Sequence, residues 1–185
     1  MRVLRKFDEE FYEKVVNIAR NALVLAKKGQ SLNEFLYRTH HNAVRSFLEG
    51  NFLASIFFAC IGVEAYLNEI LENRKWMNLK LRLLKKAYQH GIPVTELLDE
   101  EEKEFFKKGI EFKPLFCERR NKIFHGDFNG LALQFHLPEV EKVKTRIRGK
   151  TYQAYVFSEI KCAYDQLLKF QKFLLKVAEL KRGRE

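Results

Sequence analysis

The segment at residues 52–72 constrains the fold more than any other part of the sequence, because it is apolar on nearly every side. Its apolar residues do not form the single stripe of a surface helix but surround the helix axis for about three turns. A helix of this kind is stable in water when other elements cover it on most sides. The segment therefore predicts a central helix with the rest of the chain packed around it.

The segments on either side of this helix have the apolar periodicity of amphipathic helices. They lie at residues 8–28, 31–49, 79–89, 95–108, 113–125 and 159–180. Three prolines and nine glycines leave few helix breakers, and 185 residues fit one domain. We therefore predict an all-α fold, an up-and-down helical bundle in one domain that covers residues 1–185.

A different period occurs between residues 131 and 157. Basic and uncharged residues alternate there every second position, which is typical of a β-strand; the basic ones are Lys142, Lys144, Arg146 and Arg148. We predict a small β-hairpin inserted before the last helix, with one basic face. Two interpretations of that face stay open: protection of an exposed strand edge, or an arm that follows the phosphates of RNA.

The formal net charge of +10 makes an anionic partner plausible, with nucleic acid ahead of a membrane, although solubility alone is another explanation. The three cysteines are far apart and form no CxxC, so no zinc site or disulfide framework is predicted. The first residues lack the apolar run of a signal peptide, and the uncharged run at 51–63 is too short to span a bilayer. We expect a cytoplasmic protein without a metal or cofactor.

The residues best suited to chemistry lie together at 118–127. Four residues separate Arg120 from His125, and five separate Arg119 from His125. A histidine can exchange a proton near neutral pH, and an arginine binds phosphate oxygens through two parallel hydrogen bonds. Such a pair is sufficient to cleave a phosphodiester without a metal. Residues five apart on a helix differ by about 140° in direction, so the imidazole lies at the helix end or a second chain supplies its partner.

Three further expectations concern residues near this motif or in the helices around it. Glu64 interrupts the apolar run of the central helix, where a lone carboxylate is costly to bury. It either meets water at the helix edge or forms an ion pair with an arginine of the motif. His40 and His41 have polar neighbours in the sequence and are predicted to be exposed. The predicted buried side of the motif helix comprises Leu115, Phe116, Ile123 and Phe124.

The sequence RNKIFH from Arg120 to His125 resembles the R-x4–6-H motif of the HEPN superfamily (higher eukaryotes and prokaryotes nucleotide-binding domains). A polar residue often follows the arginine in that family, as Asn121 does here. Residues 57–68, with Glu64 among them, are similar to the central helix of many HEPN domains. The resemblance extends over about residues 33–180. Relative to the family pattern, the hairpin and the acidic helix at 95–108 are insertions.

The resemblance implies a helical bundle that forms a homodimer through the motif helices and, in many members, a metal-independent endoribonuclease. His125 would act as general acid or base, and Arg120 would hold the scissile phosphate. Asn121, Arg119 and Glu64 would support them, with Arg119 able to replace Arg120 in register. The expected products are a 2′,3′-cyclic phosphate and a 5′-hydroxyl. The RNA-binding candidates are Lys122, Lys142, Lys144, Arg146 and Arg148.

Three functions fit these observations. The first is an RNase, a hydrolase that would be the toxin of a toxin–antitoxin or phage-defence system. Its antitoxin would be a separate protein, because no nucleotidyltransferase domain is fused. The second is a non-catalytic HEPN module that binds nucleotide, RNA or a partner protein. The third is structural: Arg119 and Arg120 would be surface charges, and His125 would cap a helix and interact with its dipole.

Overall fold

The computed structural model describes residues 2–28, 34–71, 79–127, 141–147, 150–156 and 159–182. Most of the described chain is helical, which confirms the predicted all-α class. Its α-helices are α1 (Arg2–Lys28), α2 (Glu34–Leu48), α3 (Phe52–Ile70), α4 (Leu81–Gln89), α5 (Glu100–Lys108), α6 (Leu115–Phe124) and α7 (Glu159–Arg182). A short 3-10 turn at Val94–Leu97 lies between α4 and α5.

Helix α3 lies at the centre, in contact with α2, α6 and α7, while α1 packs on α7. The core combines apolar side chains of α3 with those of its neighbours, among them Leu36, Phe47, Ile56, Val63, Leu67, Phe170 and Phe173. Among the described helices, α3 also has the length and composition of a membrane-spanning helix, with 61% of its most apolar window buried inside the protein. Gly62 of α3 leaves room for side chains of α2 and α7 to pack against the helix backbone. A Cβ at this position would lie 2.7 Å from Thr39 Oγ1 and 2.8 Å from Phe170 Cζ.

His40 is buried at 5% exposure, so the prediction that it is solvated was wrong. The ring lies edge-on to Phe170, and its Nε2 is 3.2 Å from the Gln171 side-chain nitrogen. Burial lowers the pKa of His40 to about 4. Its sequence neighbours are polar, but it belongs to the helical stripe that also buries Leu36 and Phe47. His41, on the other side of the helix, is exposed as predicted.

Two antiparallel strands precede α7. Strand β1 (Glu141–Ile147) pairs with β2 (Lys150–Val156), so that Glu141 lies opposite Val156 and Ile147 opposite Lys150. Of the four alternating basic residues, Lys142, Lys144 and Arg146 belong to β1. Arg148 and residues 131–140 lie outside the described part of the chain.

Candidate functional site

A buried carboxylate fixes the start of the motif helix α6. Glu102 accepts a hydrogen bond from the backbone N–H of Leu115, the first residue of α6, at 2.7 Å. Its second oxygen accepts from the N–H of Asp99 at 2.8 Å and completes the capping box of α5. The sequence predicted that this helix starts near residue 95. The capping box explains why α5 begins at Glu100 instead. One side chain thus ties the beginnings of two helices together.

Burial raises the pKa of Glu102 to about 7, although the hydrogen bond from Leu115 opposes this shift. Between the ordinary glutamate pKa and about 7, the folded protein therefore binds a proton that the unfolded chain has lost. The stability that this bound proton contributes is complete below the pKa of Glu102 in the unfolded chain. It is lost as the pH rises through the pKa of Glu102 in the folded protein.

We therefore expect wild type to lose roughly 1 kcal/mol of unfolding free energy relative to Glu102→Gln between about pH 6 and about pH 8. The difference between the two proteins is the quantity to measure, by chemical denaturation, because the buried His40 changes stability in the opposite direction in both. A difference that stays constant across this pH range would contradict the assigned pKa shift.

Arg120 and Glu64 form a buried, two-bond ion pair between α6 and α3. Arg120 donates from Nε to one oxygen of Glu64 at 3.1 Å and from Nη2 to the other at 3.0 Å. The side chains are only 6% and 5% exposed. Burial raises the pKa of Glu64, and the charge and hydrogen bonds of Arg120 work against that rise. Of the two alternatives for Glu64, the ion pair is confirmed, and the description of Arg120 as a surface charge is wrong.

Arg119 is also buried, and it points toward α5 and α7. Its guanidinium donates to the Gln166 side-chain oxygen at 2.8 Å and to a carboxylate oxygen of Asp99 at 2.9 Å. The second oxygen of Asp99 forms an ion pair with Lys169. Arg119, Asp99 and Lys169 line a cleft of about 550 Å³ between α5 and α7. Arg119 therefore joins three helices, and it too is no surface charge.

Helix α6 ends in a defined turn at the candidate histidine. His125 is the C-cap, and Gly126 follows in the left-handed conformation with φ of 69°. The Asp127 N–H donates to the carbonyl of Lys122 at 2.8 Å, and the Gly126 N–H to that of Ile123 at 3.2 Å. These two bonds make a Schellman motif, which confirms the predicted cap at His125 and Gly126.

The side chains at this end of α6 face solvent. His125 is exposed, and its ring lies 5.3 Å from that of Phe124 at an interplanar angle of 88°. Phe124 is 72% exposed, so its predicted burial was wrong. Lys122 forms an ion pair with Asp127 at 2.9 Å beside them. The backbone carbonyl of Asn121 accepts a hydrogen bond from the His125 N–H at 2.9 Å, and the Asn121 side chain is half-buried.

The side chains of the motif therefore point in two different directions. The arginines point into the protein, whereas His125 faces outward, as the angular separation along a helix requires. Asp99, Gln166 and Lys169 were missed as partners of the motif. The spacing of Asp99 and Glu102 is a visible capping signal, but nothing in the sequence connects Gln166 or Lys169 to Arg119.

The cysteines and the acidic residues offer little further reactivity in this region. Cys60, Cys117 and Cys162 are buried free thiols. Burial raises the pKa of Cys60 and of Cys162 to about 12, and it raises the pKa of Cys117 as well. None of them has the electropositive, accessible setting of a nucleophilic thiolate. Within the described ranges, no three His, Cys, Asp or Glu side chains are grouped to hold a metal ion.

Comparisons of the chain with protein-family models, with curated proteins and with solved structures gave no significant match.

Proposed function

We propose that this protein is a metal-independent endoribonuclease of the HEPN type that acts as a homodimer. The observation that carries the proposal is the construction of α6: an exposed His125 on a hydrogen-bonded cap, five residues after an Arg120 that Glu64 holds in place. A catalytic imidazole needs access to substrate together with a fixed backbone, and this position supplies both.

The proposed reaction is a transesterification at the ribose. His125 takes the proton of the 2′-hydroxyl, and the 2′-oxygen attacks the adjacent phosphorus as the bond to the 5′-oxygen breaks. The protonated imidazole then gives this proton to the departing 5′-oxygen. The products are a 2′,3′-cyclic phosphate and a 5′-hydroxyl, and neither step requires a metal.

Arg120 would stabilise the charge that develops on the phosphate. Glu64 uses two of the five N–H groups of its guanidinium, and the remaining ones are those that would meet phosphate oxygens. The pair with Glu64 is formally neutral, so this contact would rest on directed hydrogen bonds more than on net charge. Asn121 would hold His125 in position through its backbone carbonyl.

A second subunit supplies what one subunit lacks. Arg120 and His125 of the same α6 point in different directions, so a site that contains both needs α6 of another copy. The exposed ring of Phe124 would give this contact an apolar element. The strands β1 and β2 would be an insertion in the HEPN-like bundle, and Lys142, Lys144 and Arg146 of β1 would contact RNA, as would Lys122.

We also propose that the protein is the cytoplasmic toxin of a toxin–antitoxin or phage-defence system, and that its antitoxin is a separate protein. The net charge of +10 supports RNA as the substrate, because the phosphate backbone supplies most of the non-specific affinity of nucleic-acid-binding proteins.

One observation favours the second candidate, a non-catalytic module that binds RNA, nucleotide or a partner protein. Both motif arginines already have carboxylate partners within the subunit, Glu64 for Arg120 and Asp99 for Arg119. An arginine engaged in this way serves stability well and phosphate chemistry less well. Measurable affinity for RNA without any turnover would select this candidate.

The direct test incubates the purified protein with single-stranded RNA in excess EDTA and identifies the ends of the fragments. We expect cleavage that EDTA does not reduce, with 2′,3′-cyclic phosphate and 5′-hydroxyl ends. RNA that stays intact under conditions in which the protein binds it would contradict the proposed activity. Cleavage that EDTA abolishes would contradict the proposed mechanism.

A further inference from the structure

A basic stripe runs along the side of α4 that is opposite its buried apolar residues. The apolar side chains Leu81, Leu84 and Ala87 of this helix are buried. The other side carries the exposed Arg82 and Lys86, with the half-buried Lys85 beside them. The stripe continues to Gln89 and His90, because residues three and four apart are neighbours on a helix. From Arg82 to His90 it is about 12 Å long.

The stripe has no acidic residue near it in the sequence and no ion pair within the described chain. No Asp or Glu occurs in the 23 residues between Glu72 and Glu96. Among the described residues, no carboxylate forms an ion pair with Arg82, Lys85 or Lys86, whereas the lysines of α5 pair with Glu100 and Glu104. The stripe is thus available to an anionic partner.

The stripe ends at a cleft of about 660 Å³. Gln89 and His90 belong to both, and the opposite walls are apolar side chains of α3 and α7, including Ile70, Val177 and Leu180. The ring of Tyr66 forms part of the wall and is held edge-on against Phe173, with centroids 5.8 Å apart. This volume is in the usual range for small-molecule sites, and an apolar cleft with a few polar groups suits a planar heterocycle.

We infer that the stripe of α4 and the cleft at its end form a binding site for single-stranded RNA. Phosphates lie along Arg82, Lys85 and Lys86, and one base enters the cleft, where Gln89 and His90 meet its polar edge. Proteins that bind single strands combine a basic track with a surface for the bases in this way. No residue of the stripe or the cleft belongs to α6, so this site shares no residue with the motif.

Charge and burial favour RNA over the other partners for this surface. A second copy of the same stripe would place like charges opposite each other. A membrane-binding helix inserts an apolar face into the lipid, but the apolar face of α4 is already buried in the protein. The choice of RNA over DNA rests on the proposed function, whereas the site itself does not.

The test compares two variants with the same change in charge. Arg82→Glu/Lys86→Glu alters the stripe, and Arg20→Glu/Lys27→Glu alters exposed residues of α1 that, within the described chain, also form no ion pair. Each replaces two cations with two anions, which lowers the formal net charge from +10 to +6. Both are made in a His125→Ala background, so that binding is measured without cleavage.

Binding is measured by fluorescence anisotropy with a labelled single-stranded RNA of about 12 nucleotides. We expect the stripe variant to bind at least about tenfold more weakly than the parent, with a shallower salt dependence, and the α1 variant to change by less than about twofold. Equal losses in the two variants, or no loss in the stripe variant, would overturn the inference. Circular dichroism and thermal melting confirm that each variant is folded.

A third variant tests the cleft. Leu180→Trp adds bulk at a half-exposed position of its wall. We expect it to weaken RNA binding at least about fivefold but to leave the binding of inorganic polyphosphate unchanged, since polyphosphate has no bases. Unchanged RNA binding would overturn the assignment of a base to the cleft, and tighter binding of DNA than of RNA would overturn the choice of RNA. Binding through α4 by a protein that never cleaves RNA would contradict the proposed function alone.

Discussion

Substitution of Glu64 by alanine is expected to lower the free energy of unfolding by about 3–5 kcal/mol. The change removes both hydrogen-bond acceptors of Arg120 and leaves its guanidinium buried without a counter-charge. For a chain of this length, a loss of that size lowers the melting temperature by on the order of 10 °C. Chemical and thermal denaturation measure the two quantities.

Two variants provide the controls for this prediction. Glu34→Ala breaks the ion pair of Glu34 with Arg38, whose side chains are 76% and 74% exposed, and should cost less than about 0.5 kcal/mol. Glu64→Leu/Arg120→Met removes both charges and should recover most of the stability lost in Glu64→Ala. A Glu64→Ala protein as stable as Glu34→Ala would mean that the buried ion pair does not hold α6 to α3.

Substitution of His125 by alanine is expected to lower the rate of RNA cleavage by about 10²–10⁴-fold. The fold should be unaffected, because the imidazole is exposed, and alanine can occupy the same C-cap conformation. The cleavage rate in EDTA and the melting temperature are measured on the same preparation. The melting temperature should then stay within about 2 °C of wild type.

The matched control for this substitution is His41→Ala on α2. His41 is also exposed, and its removal should leave the cleavage rate unchanged. If both variants lost the same activity, the effect would not be specific to the motif. If His125→Ala cleaved RNA as fast as wild type, His125 would have no catalytic role.

The parts of the structure that were predictable depend on local patterns. Helix α3 carries apolar residues on nearly every side, which predicted its central position. A lone carboxylate is costly to bury, so an ion pair with an arginine was one of the two alternatives predicted for Glu64. The glycine at position 126 marked the end of α6. Each of these inferences uses residues close in sequence, or a physical penalty that leaves few solutions.

The predictions that were wrong or missing concern the burial of single side chains and the contacts between residues far apart in the sequence. His40 has polar neighbours along the chain, and only its place on the stripe of Leu36 and Phe47 shows that it is buried. Phe124 looks like a core residue by type, but it lies in the last turn of α6 and is 72% exposed. The contact of Glu102 with Leu115 depends on how two helices meet, which no local pattern specifies.

The decisive measurement concerns the shared site, in dimers that combine two different defective subunits. One subunit carries His125→Ala, and the other carries Glu64→Leu/Arg120→Met, so that neither homodimer contains both an Arg120 and a His125. If these two residues act on one RNA strand from opposite subunits, the purified mixed dimer regains cleavage in EDTA, because it contains one complete pair. A mixed dimer as inactive as its two parents would contradict a site built across the subunit boundary.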